Sequence, residues 1–120
     1  MKIRSTDLAS HTVTRARGKE AFEALAERLR VSTEEVEIEL PAGQPLSLSF
    51  LDEIVFSLKG SGHLARVTFV VEEPEALRKL GNVASMRHVD VWYRGLGASF
   101  RTTVERAPLS PNGEATEGER

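Results

Sequence analysis

The sequence contains no cysteine, which excludes disulfide bonds and thiolate chemistry. No apolar run approaches the ~20 residues that a membrane-spanning helix requires. The N-terminus lacks the apolar stretch of a secretory signal. The net charge of -2 disfavours non-specific attraction to nucleic acid or to an acidic membrane. These absences predict a soluble, cytoplasmic protein with no nucleic-acid partner and no membrane partner.

The usual signs of an active site are also missing. The three histidines, His11, His63 and His88, are scattered, with no i, i+4 pair and no carboxylate at ligand spacing. No serine sits in a nucleophile elbow, and no glycine-rich phosphate loop follows a strand. The segment Gly95–Gly97 is only half of a dinucleotide fingerprint. The sequence therefore predicts a protein that is not an enzyme and has no catalytic residue, no metal and no cofactor.

Length and composition predict one domain with one core. The chain has 120 residues, of which 40% are apolar and 28% are charged, as in an ordinary globular protein. Residues 107–120 contain two prolines, two glycines and three glutamates but hardly any apolar side chain. Such a segment cannot bury enough surface to offset its ordering entropy. We therefore expect a folded domain at 1–106 and a disordered tail at 107–120.

The central stretch changes its hydrophobic period near two serines. Polar and apolar residues alternate over 36–40, which predicts a strand with one buried face. Beyond Ser49 the apolar residues follow helical spacing, at Leu51, Ile54, Val55 and Leu58. Ser47 and Ser49 both suit the N-cap of this helix, and Gly60 suits its end.

The remaining segments complete an α/β pattern. In chain order they are an edge strand or coil at 2–5, a helix at 15–30, a strand at 66–71, a helix from Pro74 to Gly81, a strand at 89–94 and an antiparallel edge strand at 99–105. The nearly continuous apolar run at 66–71 predicts a strand with both faces covered. The order helix-strand-helix-strand-helix-strand predicts an α/β domain with three helices and a mostly parallel sheet of four to five strands.

Three segments in this order, at 11–30, 36–58 and 66–93, resemble the first helix, the strand-turn-helix unit and the closing strand-helix-strand unit of the STAS superfamily. These are the small domains of anti-sigma factor antagonists and of the cytoplasmic tails of sulfate transporters. The run Ser49-Phe50-Leu51-Asp52-Glu53 is similar to the central helix start of a STAS-like subfamily of unknown function. The resemblance implies a STAS-like fold.

The resemblance also implies a bacterial regulatory protein that works by binding other proteins. Its turn and helix at 44–58 would dock on a histidine-kinase-type ATPase or another regulator. Bacterial antagonists begin this helix with an Asp-Ser-Ser-Gly run in which one serine is phosphorylated. Here the aspartate and the glycine are absent, and the phosphorylated position falls on Leu48. Ser47 and Ser49 flank that position and are either phosphorylation sites or simple helix caps.

Four residues are the candidate partner contacts: Ser47, Ser49, Asp52 and Glu53. The acidic pair is either a solvated first turn or a contact for a basic partner. Arg15 and Arg17 are either a solvated helix start or a contact for an anion or a partner. A second copy of the chain is another candidate partner. The alternative function is the sensing of a small ligand, a nucleotide or a lipid, at the carboxyl ends of the strands.

Overall fold

The computed structural model describes residues 2–9, 11–95 and 106–110. Its elements are β1 (Lys2–Arg4), α1 (Ser5–Leu8), α2 (Arg15–Val31), β2 (Val36–Leu40), α3 (Leu48–Ser61), a 3₁₀ turn (Leu64–Arg66), β3 (Val67–Val71), α4 (Pro74–Arg87), β4 (Val91–Gly95) and β5 (Ala107–Leu109). The short α1 adds a fourth helix to the three that were predicted. The short strand at the N-terminus, which the sequence left undecided, is present as β1.

The five strands form one sheet in the order β1-β2-β3-β4-β5. Strands β1 to β4 are parallel, and β5 pairs antiparallel with β4. The prediction of an α/β domain with a mostly parallel sheet is therefore confirmed. Each crossover moves to the next strand in the same direction, so right-handed connections place the helices on one face of the sheet.

The core lies between that face and the helices. Alternate residues of β2, namely Val36, Ile38 and Leu40, point into it. Helix α3 lies between α2 and α4 and buries its whole apolar stripe there. The buried side chains of this stripe are Phe50, Leu51, Ile54, Val55 and Leu58. Because each such side chain contributes roughly 1.5–3 kcal/mol when fully buried, α3 is held firmly in place.

The opposite face of the sheet is covered differently. All five residues of β3 are buried, as predicted. Among the described residues, however, the cover on this side consists of long charged side chains rather than helices. Arg94 on β4 donates to the Glu37 carboxylate over 2.7 Å. Arg106 stacks on the Trp92 ring at 4.2 Å, and its Nε donates to the Thr68 hydroxyl. The aliphatic stems of such residues shield the strand while their charged ends remain near water.

Two helices run past the glycines that were predicted to end them. Helix α4 continues through the buried Gly81 to Arg87. It ends at His88, which has a left-handed conformation (φ 54°). Helix α3 continues past Gly60 and ends at Gly62, which has φ 80°. A glycine stops a helix only where the chain adopts a left-handed conformation, and neither Gly60 nor Gly81 does so.

The C-terminal prediction was wrong for three residues. Ala107–Leu109 form β5 and pair with β4, although the sequence places them in a disordered tail. Ala107 and Leu109 alternate inward and bury their side chains in the core. The predicted strand at 99–105 and the remainder of the predicted tail, 111–120, lie outside the described residues.

Candidate functional site

The start of α3 is capped by Ser47. The Ser47 hydroxyl oxygen accepts a hydrogen bond from the Phe50 backbone N–H at 3.1 Å. This contact decides between the two serines that the sequence left open. The hydroxyl also donates to the carbonyl of Val13, which precedes α2. The Ser47 hydroxyl therefore makes two hydrogen bonds within the fold.

Further hydrogen bonds join the segment before α2 to the turn before α3. The Ser47 backbone N–H donates to the Thr12 carbonyl over 3.0 Å. The buried Thr12 hydroxyl donates to the Pro45 carbonyl. We call these two joined segments, residues 11–14 and 44–49, the tip. Because they are pinned to each other, the tip is a defined surface rather than two independent loops.

The exposed surface of the tip is partly apolar. Val13 and Leu48 are both exposed, and Ser47 lies beside both of them. Ser49 is also exposed. Two predicted contact residues, Ser47 and Ser49, thus lie together here; Ser49 is exposed, whereas Ser47 is partly buried and its hydroxyl is hydrogen-bonded.

Asp52 lies under the tip and joins three helices. Its side chain is only 4% exposed. One of its carboxylate oxygens, Oδ2, accepts a hydrogen bond from Arg15 of α2 at 2.9 Å. Arg87 of α4 donates to both oxygens, at 2.6 and 2.7 Å. Charge-assisted, two-pronged hydrogen bonds of this kind are among the stronger polar contacts in proteins.

These arginines control the ionisation of Asp52. Hydrogen bonding to Arg87 first, and then to Arg15, lowers the pKa of the Asp52 carboxyl below its ordinary range, against the opposing effect of burial. The same contacts raise the pKa values of Arg15 and Arg87. Asp52 is therefore ionised at neutral pH and holds both guanidinium groups.

Stability should depend on pH through this carboxylate. The pKa of Asp52 is lower in the folded state, so its contribution is complete above the unfolded value of ~3.9 and is lost as the pH falls through the folded value. The difference in unfolding free energy between the wild type and Asp52→Asn is expected to be constant near neutral pH and to shrink in acid. Urea unfolding of both proteins across this range measures it. An equal difference in unfolding free energy at neutral and at acid pH would contradict the lowered pKa of Asp52.

Glu53, the other member of the acidic pair, is also turned inward. Its side chain is 16% exposed. It accepts a hydrogen bond from Arg15 at 3.3 Å and another from the Ser57 hydroxyl at 3.3 Å. The two carboxylates therefore hold α3 against its neighbours, which differs from the exposed acidic contact that the sequence predicts.

Arginine side chains remain partly exposed beside the tip, together with the carboxylate of Glu20. The side chains of Arg15 and Arg17 are 51% and 43% exposed. Arg17 reaches back to His11, with 3.3 Å between Nε and the ring Nε2. The sequence names both the acidic pair and the two arginines as candidate contacts, and the packing of α2 against α3 covers the acidic pair while leaving the arginines partly exposed.

Phe56 is the residue of this site that the sequence prediction missed. It is 50% exposed on the outer side of α3, and the Arg87 guanidinium stacks over its ring at 4.5 Å. A signal was present, because Phe56 falls off the buried stripe of Leu51, Ile54, Val55 and Leu58.

A small pocket lies at the carboxyl ends of β2 and β3, where the ligand-sensing alternative places its site. Its volume is about 150 Å³, and its lining residues are Pro41, Gln44, Pro45, Leu46, Glu73, Glu75, Ala76 and Lys79. The Lys79 ammonium group already donates to the Leu46 carbonyl at 2.5 Å. Typical ligand sites enclose ~300–1,000 Å³, so this pocket is too small for a nucleotide or a lipid headgroup with its chain.

Within residues 2–9, 11–95 and 106–110, no group of three or more histidine, aspartate or glutamate side chains is placed to hold a metal ion. None of the helices in that part of the chain combines the length and apolar character needed to cross a bilayer.

The chain was also compared with protein-family models, with curated proteins and with solved structures. None of them matches it.

Proposed function

We propose that this chain is a regulatory, non-enzymatic domain that binds a partner protein through residues 44–58. The observation that carries the proposal is the placement of Leu48 and Phe56. Both are exposed on α3, whereas the apolar stripe of the same helix is fully buried. Large apolar and aromatic side chains on a rigid element can serve as anchors at a protein interface.

The surroundings of Phe56 support this proposal. Aromatic residues and arginines are enriched among the residues that dominate binding energy at interfaces. Phe56 and Arg87 are stacked, and Asp52 fixes the guanidinium by two hydrogen bonds. Both side chains therefore lose little conformational freedom when a partner covers them.

The class of partner follows from the resemblance to the STAS superfamily. That resemblance favours a histidine-kinase-type ATPase or a related regulator, and a STAS-like fold is part of the same proposal. The mostly parallel sheet with consecutive strands is compatible with it. If a kinase modifies this chain, Ser49 is the better candidate of the two serines, because the Ser47 hydroxyl is engaged in the fold.

The proposal predicts that exposed residues of α3 are needed for binding but not for folding. Replacing Leu48 and Phe56 together by serine should weaken capture of the partner by about tenfold or more, the effect of losing one interface hot spot. The measurement is a quantitative pull-down with the purified product of a neighbouring gene that encodes an ATPase or regulator. The melting temperature should stay close to that of the wild type.

The matched control is Val31→Ser. Val31 is exposed and apolar but lies at the far end of α2, away from the tip. It should bind as the wild type does. Equal capture of all three proteins, or no stoichiometric partner for the wild type, would count against the proposal.

A further inference from the structure

We infer that the partner presents an acidic segment with an adjoining apolar side chain to the tip. This inference rests on the proposed function and specifies the partner's chemistry. The apolar side chain would cover Val13 and Leu48, and the carboxylates would meet Arg15 and Arg17. A sequence-based interpretation of the same surface, with Asp52 and Glu53 exposed, predicts the opposite charge for the partner.

The first support is the distribution of charge. The carboxylates of Asp52 and Glu53 are covered, and the guanidinium groups that hold or flank them remain at the surface. Glu20 is the exposed acidic neighbour, and it pairs with Arg17 at 2.6 Å. The start of α3 adds the positive end of its dipole to the same surface.

The second support is the unused hydrogen-bonding capacity of the arginines. Arg15 makes both of its ion pairs through Nη1. Arg17 uses Nη1 for Glu20 and Nε for His11. Among the described residues, Nη2 of neither arginine has an acceptor. A guanidinium group with free N–H donors is well suited to a further carboxylate.

The third support is the adjacent apolar surface. Val13 and Leu48 belong to segments that hydrogen bonds join directly, so they form part of one surface next to the arginines. A purely polar anion would leave this surface uncovered. A peptide segment that carries both acidic and apolar side chains covers both kinds of surface.

The test uses two labelled helical peptides with leucine at the same positions. One peptide carries glutamate at all the remaining positions, and the other carries lysine there. Fluorescence anisotropy with the full chain measures their affinities. The acidic peptide is expected to bind about tenfold more tightly or better, and added salt should weaken it. Equal binding, preference for the basic peptide, or no binding of the acidic peptide would overturn the inference.

Matched variants locate the binding site. Arg17→Glu should lower the affinity for the acidic peptide by about tenfold, because it replaces attraction with repulsion. Its control is Arg30→Glu, since Arg30 makes the equivalent i, i+3 pair with Glu27 at the other end of α2. Val13→Ser should lower the affinity for both peptides, and Val31→Ser is its control. Equal effects of Arg17→Glu and Arg30→Glu would overturn the inference.

The same variants separate this inference from the proposed function. Suppose that binding of the partner protein is abolished by replacing Leu48 and Phe56 yet is unchanged by Arg17→Glu and by salt. In that case docking through α3 stands, and the inference that the partner segment is acidic is wrong. If the partner is indifferent to the Leu48 and Phe56 changes, the proposed docking itself fails.

Discussion

Replacing Asp52 with asparagine is expected to lower the free energy of unfolding by about 2–3 kcal/mol. Removing one member of a buried ion pair typically costs ~3–5 kcal/mol, because the remaining charge is left uncompensated. The lower figure applies here because Arg15 and Arg87 are partly exposed and water can compensate them in part. The substitution also removes the ion pairs that join α2 and α4 to the first turn of α3.

Urea unfolding at neutral pH measures this change. A suitable control is Glu75→Gln, which removes the surface i, i+3 pair with Arg78. Because that pair is exposed, the control should unfold at nearly the wild-type urea concentration. Removing the arginines as well, by Arg15→Gln and Arg87→Gln, should recover part of the stability lost in Asp52→Asn. Equal midpoints for Asp52→Asn and the control would show that the buried cluster is not a structural anchor.

Replacing Gly18 with alanine is expected to destabilise the fold by about 1–3 kcal/mol, the usual range for overpacking. Gly18 is buried inside α2, and an added Cβ would stand 2.7 Å from the Phe50 carbonyl oxygen and 2.9 Å from Glu53 Cβ. The helices would have to separate at the start of α3. This cost should exceed the gain of ~1 kcal/mol that alanine normally brings to a helix interior.

Gly60→Ala is the matched control for this substitution. Gly60 lies in α3, and no atom stands within 4 Å of the position of an added Cβ. Alanine there should raise the free energy of unfolding by about 0.5–1 kcal/mol through helix propensity alone. Thermal or urea unfolding of both variants compares them directly. Stabilisation by both substitutions would mean that α2 and α3 are not in close contact at Gly18.

Helix α2, strands β2 and β3 and the parallel arrangement of the sheet were predictable from local pattern. The alternation in Val36–Leu40 and the helical spacing from Leu51 to Leu58 each report which side of one element is apolar. The ends of α3 and α4 were harder to predict, because the sequence around a glycine looks the same whether the glycine ends a helix or lies inside one. His88 ends α4 in a left-handed conformation without any glycine signal.

The candidate site was only partly predictable. Ser47, Ser49, Asp52 and Glu53 were recognised as one group at the start of a helix, and the structure places them there. Their roles depend on partners far away in the chain. Arg87 lies 35 residues beyond Asp52, and Val13 lies 34 residues before Ser47. No periodicity in the sequence reports such pairs.

The order of strands and helices is set by the spacing of apolar residues, which is a property of each segment on its own. The direction in which a charged side chain points is different, because it depends on which neighbour arrives beside it after folding. In this protein the neighbours of Asp52 are arginines from two other helices. They cover a carboxylate that the sequence predicts to be exposed, while their own guanidinium groups remain partly at the surface.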